Sequence, residues 1–257
     1  MNEHNFKKQL GQNFLIDFES IIEFVDAADI KEGDNVLEIG PGDGAVSDII
    51  LQRKAQLTAV EIDSELIPTL NERFAGFTNF KLINADILQL DLAELGLNKG
   101  FKLIGALPYN ISKQIINLFL KTTIKPACMC FILQKEVASD YAFKGRFLNI
   151  LANTYAGKIS YIKTLPAHFF NPEPKVESAI IKFEQLGPRF DKPESLLKFV
   201  KIAFSAPRKI LSRNLANAGF DKLEIESELK KMGLSEKSRA GELAFEHWTK
   251  LYQALKK

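Results

Sequence analysis

The residues best suited to chemistry fall in four short stretches, each placed at or just after the end of a predicted strand: Gly40-Pro41-Gly42-Asp43-Gly44, Glu61, Asp86 and Leu107-Pro108-Tyr109. Glycines at a strand-to-helix turn let the backbone approach a ligand closely, and the helix that follows offers bare N–H groups. Glu61 stands about 20 residues beyond the first glycine, the position from which a carboxylate grips the two hydroxyls of a ribose. Asp86 beside apolar Ile87 suits the amino edge of an adenine, with Ile87 packed on the ring face. Pro108 ends the apolar run from Phe101 to Ala106 and presents Tyr109 at a strand's carboxyl end, where an aromatic ring makes a platform for a flat substrate. Taken alone, that last stretch also fits a strand-to-helix turn with Ser112 capping the next helix. As a series, the four stretches describe a nucleotide-like ligand and a flat substrate brought to one sheet edge.

Such residues need strands that end together. Apolar runs predict strands over 35–39, 57–62, 80–84 and 101–106, with a further strand through Cys128 and Cys130 and two more over 159–165 and 178–183. Helices are expected over about 18–28 and 45–53, after Asp63 or Ser64, over 113–120, and from Gln134 onward. Gln12 and Asn13, between apolar Leu10 and Phe14, offer amide groups upstream. The loop 167–175 carries Pro172 and Pro174, whose stiffness holds Phe170 in a fixed place. Beyond Gly187-Pro188 the pattern becomes helical, over 196–204, 207–218, 225–232 and 242–255, with Pro207 in the first turn of a helix capped by Ser205. The division expected is therefore 1–188 and 189–257.

The 257 residues, 46% of them hydrophobic, allow a large core with a small appendage. No stretch reaches the length of a membrane span, and the polar, charged amino terminus lacks a signal peptide's apolar core, so a cytoplasmic protein is expected. The net charge of +2 is too small to argue nucleic-acid binding from the total. The distribution says more, because Lys7, Lys8, Arg208, Lys209 and Arg213 would form a phosphate-binding rim if they shared a face. Cys128 and Cys130 are too close for an ordinary disulfide or a zinc knuckle and read as buried thiols, and the three scattered histidines supply no metal-ligand spacing.

Gly40-x-Gly42-x-x-Ala45 with Glu61 fits a nicotinamide-dinucleotide fingerprint and equally an S-adenosylmethionine loop. Glu38 inside the strand, Asp86 and Leu-Pro-Tyr have no use in a dehydrogenase and favour amine methylation. The fold class expected is α/β, a Rossmann-like class I methyltransferase sheet with a small C-terminal all-helical domain. The chain resembles the KsgA-type family of ribosomal RNA small-subunit adenine dimethyltransferases over essentially its whole length. The resemblance runs through Gly11 to Leu15, Leu37 to Gly44, Val60 to Asp63, Asn84 to Leu88, Leu107 to Ser112, Leu133 to Val137 and Phe170 to Ser178. The related macrolide-resistance methyltransferases of 23S rRNA share much of this set, and Leu107 before Pro-Tyr-Asn-Ile-Ser is more like the ribosome-biogenesis branch.

The resemblance implies dimethylation of two adjacent adenosines near the 3′ end of small-subunit (16S) rRNA, with S-adenosyl-L-methionine as methyl donor. The implied partners are that rRNA and the immature small ribosomal subunit, met by a monomer with no membrane role. Residues Gln12, Asn13, Leu15, Gly40, Gly42, Glu61, Ile62, Asp86, Ile87 and Ala106 would then hold the cofactor. Tyr109 and Phe170 would sandwich the target adenine, with Ala106, Leu107 and Pro108 at the reacting amine. That amine's lone pair is delocalised into the ring, and acceptors for its hydrogens favour the form in which the pair is free. The family's Asn-Leu-Pro-Tyr motif supplies such an acceptor from its asparagine, where this chain has Ala106. Impaired methyl transfer is therefore expected, and a noncatalytic assembly factor that binds rRNA is the alternative. A second departure lies at Pro207, where the family often carries another basic residue.

Overall fold

The computed structural model describes residues 13–255. Two compact units divide the chain, one made of residues 1–138 and 160–186, the other of 139–159 and 187–257.

In the first unit the chain opens with a short strand, β1 (Phe14–Leu15), and a helix, α1 (Phe18–Ala27). Asp17 starts that helix by accepting the Ser20 backbone N–H at 3.0 Å, and the Ser20 side chain together with this bond holds its carboxyl below the usual carboxylate range. The helix then buries Ile21, Phe24 and Val25. Alternating units follow: β2 (Asn35–Ile39), α2 (Ala45–Gln52), β3 (Gln56–Glu61), α3 (Ile67–Arg73), β4 (Phe80–Asn84), β5 (Lys102–Ala106), α4 (Ser112–Lys121) and β6 (Cys128–Gln134). After α5 (Lys135–Ala142) and α6 (Phe147–Tyr155) come β7 (Ala156–Leu165), β8 (Phe170–Asn171) and β9 (Ser178–Leu186). The seven-stranded sheet has the order β4-β3-β2-β5-β6-β9-β7. Strands β2 to β6 pair in parallel, and β9 runs antiparallel to β6. Their near-continuous apolar sequences suit a sheet covered on both faces. The strand order reverses between β2 and β5, and ligands of open α/β sheets bind at such a switch point, at the strands' carboxyl ends. A separate two-stranded ribbon pairs β1 with β8, Phe14 opposite Asn171 and Leu15 opposite Phe170.

Gly105 is what lets β5 lie close to β2 at the switch point. A Cβ there would stand 2.7 Å from the Ile39 carbonyl oxygen, a distance no side chain tolerates. Cys128 and Cys130 both point from β6 toward α1, where their thiols approach the carbonyls of Ala28 and Phe24 at 3.4 and 3.9 Å. Burial pushes both thiols up.

The second unit buries its own core around Trp248, Phe199, Leu211, Leu229 and Leu251, from α7 (Pro193–Ala203), α8 (Leu211–Ala216), α9 (Lys222–Lys231) and α10 (Phe245–Leu255). Ile150 of α6 packs in the same cluster. Segment 139–159, which the sequence reading placed with the first domain, therefore belongs to this unit.

Three local expectations are corrected. Helix α8 begins at Leu211 rather than Pro207, because the Asn214 side-chain amide donates to the carbonyls of Ala203 and Ala206 at 2.8 and 2.9 Å. Those bonds hold residues 204–210 as a turn that follows α7. Ser112 is the first residue of α4 and not its cap. Its hydroxyl donates to the Tyr109 carbonyl at 3.5 Å, and Ile111 holds the cap position without a side-chain bond. Finally, α6 is a helix where the sequence suggested none.

Candidate active site

A cleft of about 1100 Å³, counting the space at its mouth, opens where β2, β3, β4 and β5 end. Of the cofactor and substrate residues expected from the sequence, it is lined by Asn13, Leu15, Gly40, Gly42, Glu61, Ile62, Asp86, Ile87, Ala106, Leu107, Pro108, Tyr109 and Phe170. Gln12, Lys7 and Lys8 lie outside the described residues. Arg208 and Lys209 are exposed in the turn before α8, and Arg213 is exposed on that helix, all within the second unit.

The glycine loop takes its shape from left-handed backbone at Gly40, Gly42 and Gly44. Gly42 also lies directly beneath the Phe14 ring, 2.8 Å from where its Cβ would stand, so the β1–β8 ribbon packs on the loop through a contact only glycine allows. Asp43 corrects the expected bare helix terminus: its Oδ1 accepts the Ala45 N–H at 3.1 Å, so the first free donor of α2 is engaged by a carboxylate.

Glu61, 5% exposed, is held at both oxygens. Its Oε1 accepts the Asp63 N–H at 2.8 Å and its Oε2 the Gly42 N–H at 3.3 Å. Asn84 at the end of β4 donates its side-chain amide to the carbonyls of Glu61 and Ile62 at 2.8 and 3.4 Å, fixing the strand end that carries the carboxylate. Burial raises Glu61 above the ordinary glutamate value, against the opposing pull of those backbone donors. Each carboxylate oxygen has a second lone pair, so acceptor capacity remains for hydroxyls. Asp86 accepts the Leu88 N–H at 2.9 Å, which turns the chain so that Ile87 is buried beside it. Ile62 is 47% exposed, an apolar side chain offered at the cleft mouth.

Beneath the loop, Glu38 is fully buried and accepts the Ser47 hydroxyl at 2.5 Å. Desolvation pushes its carboxyl up to about 8, with Glu61 and Asp43 adding repulsion and the Ser47 bond opposing. Across the switch point, the β5–β6 ladder extends past Ala106 through the Leu107 N–H to the Ile132 carbonyl at 3.1 Å. Pro108 then ends the strand, and its carbonyl accepts from Ile111 and Ser112 to begin α4. Tyr109 is partly buried, and its hydroxyl lies 3.0 Å from Ser178 Oγ. Phe170, 4% exposed, also lines the cleft and is held there by the pairing of β8 with Leu15.

Four carboxyl-bearing residues line the cleft, Glu38, Asp43, Glu61 and Asp86, and no Lys, Arg or His is among its described lining residues. A diphosphate meets repulsion there, whereas a cationic ligand with ribose hydroxyls and an adenine meets acceptors. Sequence reasoning did not single out Ser178 or Ser47 for the site, and quoted Asp43 only as part of the glycine stretch. Ser178 did end one matched stretch, which was the only available signal. Among the described residues there is no group of three or more His, Cys, Asp or Glu able to hold a metal, and no helix long and apolar enough to cross a membrane.

The chain is similar to several known proteins. A "Ribosomal RNA small subunit methyltransferase A" of Dehalococcoides mccartyi is 37% identical over 252 residues, covering 95% of this chain and 87% of the relative. The protein of that name from Fusobacterium nucleatum is 34% identical over 257 residues, covering 97% of each. The crystal structure of the 23S rRNA methyltransferase ErmE superposes with a TM-score of 0.79 at 25% identity, over 95% of this chain and 100% of that one. A dimethyladenosine transferase from Plasmodium falciparum shares the fold, with a TM-score of 0.75 at 22% identity over 93% of this chain and 96% of that one. The family described as "Ribosomal RNA adenine dimethylase" matches residues 3–257, and the chain belongs to that family.

Proposed function

We propose that this protein dimethylates the exocyclic amines of two adjacent adenosines in small-subunit rRNA, with S-adenosylmethionine as donor, on immature small subunits. The observation that carries the reading is a cleft at the switch point whose charged lining residues are all acidic, with two aromatic residues, Tyr109 and Phe170, in its walls. The curated relatives named above support the RNA class.

S-adenosylmethionine, when bound, supplies a methyl group on a positively charged sulfur that is already an electrophile. The protein's task is alignment for in-line displacement. Glu61 would hold the ribose hydroxyls and Asp86 the adenine amino edge, with Ile62 and Ile87 offering apolar surface to the ring. Asn13, Leu15, Gly40, Gly42 and Ala106 complete the enclosure. Tyr109 and Phe170 receive the target adenine, which leaves its stack to reach the methyl group. The backbone carbonyls of Ala106 and Leu107 are the acceptors left for the amine's hydrogens, because the alanine side chain offers none. Arg208, Lys209 and Arg213 present exposed charge to RNA phosphates.

Losing one preorganised polar contact of this kind costs on the order of a hundred- to a thousandfold in rate. The test is methyl transfer from labelled S-adenosylmethionine to immature small subunits by this chain and by Ala106→Asn. A slow chain accelerated by the substitution is expected, and equal, brisk activity in both refutes the role given to Ala106. Ala106 also favours a second reading, an rRNA-binding assembly factor without catalysis. Calorimetry with S-adenosylmethionine separates the two, since a chain that does not bind it retains only the second.

A further inference from the structure

Ser178 is fully buried and has no role in the reading above, yet its Oγ stands 3.0 Å from the Tyr109 hydroxyl in the cleft wall. The topology puts it there. Because β9 runs antiparallel to β6, its first residue lies at the carboxyl edge of the sheet, opposite Gln134. The neighbouring backbone is pinned as well: the Lys135 N–H donates to the Glu177 carbonyl at 3.0 Å, and the Lys135 ammonium meets the Glu177 carboxylate at 2.7 Å. Ser178 is thus a post set in regular sheet.

Tyr109 sits in the irregular turn between β5 and α4, where its carbonyl accepts the Ser112 hydroxyl at 3.5 Å. Pro108 fixes the chain direction there, but two side-chain torsions of the tyrosine remain to be set. A hydrogen bond at the phenol oxygen fixes the first by anchoring the far end of the ring, and restrains the second through the hydroxyl's preference to lie in the ring plane. Burial raises the Tyr109 phenol, and the Ser178 bond opposes that rise without cancelling it, so the hydroxyl stays protonated at neutral pH.

We propose that Ser178 is a positioning residue that fixes where the Tyr109 ring points beside the target base, by holding the phenol at the sheet edge. The proposal rests on the reading of Tyr109 as the base platform. It adds that the phenol is committed to the protein, so that Tyr109 presents only its ring face to the substrate and reads stacking rather than hydrogen-bonding edges.

The test combines a spectroscopic and a kinetic readout. The chain has five tyrosines, so 3-fluorotyrosine labelling gives five ¹⁹F resonances, and Tyr109→Phe assigns the one that matters. In Ser178→Ala that resonance shifts and narrows as the ring is released, with no RNA present. Rates are measured at saturating S-adenosylmethionine in the Ala106→Asn background. Ser178→Ala and Tyr109→Phe each lower kcat about two- to tenfold, the range of one hydrogen bond, and leave cofactor affinity unchanged. The double variant is no slower than either single one, because both remove the same bond. An unmoved ¹⁹F resonance overturns the proposal, and so does a moved resonance with full activity or a double variant whose losses multiply. Failure of the underlying functional reading shows separately, as absence of methylation by the Ala106→Asn parent.

Discussion

Replacing Glu38 by glutamine tests whether the fully buried carboxyl beneath the glycine loop carries a proton in the folded protein. An ordinary glutamate titrates near 4.5, and desolvation moves Glu38 to about 8. Between those values the folded chain keeps a proton that the unfolded chain releases, so unfolding free energy falls by about 1.4 kcal/mol for each unit of rising pH. The group's stabilising contribution is fully present below 4.5 and is lost as pH rises through about 8. Over that whole interval the loss is on the order of 5 kcal/mol. Glutamine cannot titrate, and its amide oxygen still accepts the Ser47 hydroxyl that Glu38 accepts at 2.5 Å. Urea unfolding of both proteins, followed by far-ultraviolet circular dichroism at about pH 5.5 and about pH 8.5, isolates the effect, because other groups cancel in the difference. The glutamine variant gains about 3 kcal/mol on the parent between the two pH values. Parallel stabilities, within about 0.5 kcal/mol, refute the protonated-carboxyl argument. Glu61 contributes a small part of any difference, since repulsion between the two carboxylates is one cause of the raised value.

Two further perturbations act on the same edge. In Glu61→Gln, whichever way the amide turns, its NH₂ group faces a backbone donor, Asp63 N–H or Gly42 N–H, so calorimetry is expected to show about ten- to a hundredfold weaker binding of S-adenosylmethionine. Unchanged affinity removes Glu61 from the ribose site. Gly105→Ala drives a Cβ to 2.7 Å from the Ile39 carbonyl and 3.1 Å from the Leu107 side chain, and strain of about 1–3 kcal/mol should lower the thermal midpoint. An unchanged midpoint means that β2 and β5 are not held as closely as described.

What was legible in the sequence was local. Gly40, Glu61 and Asp86 each follow an apolar run, and a run's end is visible without knowing what it pairs with. Tyr109 was legible because Pro108 stops the strand. The bond from Tyr109 to Ser178 was not, since it joins residues 69 positions apart through an antiparallel strand whose direction no local pattern reveals. Helix α6 escaped notice because it is only nine residues long and mixes apolar Phe147, Leu148, Ile150 and Leu151 with Asn149, Asn153 and Thr154, too short a window for a helical period to stand out. The start of α8 was misplaced because Pro207 is a good first-turn residue locally, while the Asn214 amide that holds 204–210 in a turn acts from within the helix.

The β1–β8 ribbon gives the cleft a place in time as well as in space. Its two strands come from opposite ends of the first unit's sequence, and a contact so distant along the chain forms only after the intervening sheet has brought its ends together. A chain emerging from its amino terminus can shape the glycine loop and set Glu61 early. Phe14 cannot be paired over Gly42, nor Phe170 set in the wall, until residue 171 has been made. The enclosing wall is thus among the last parts of the unit to be completed, and a ligand that needs both walls selects chains that have finished folding.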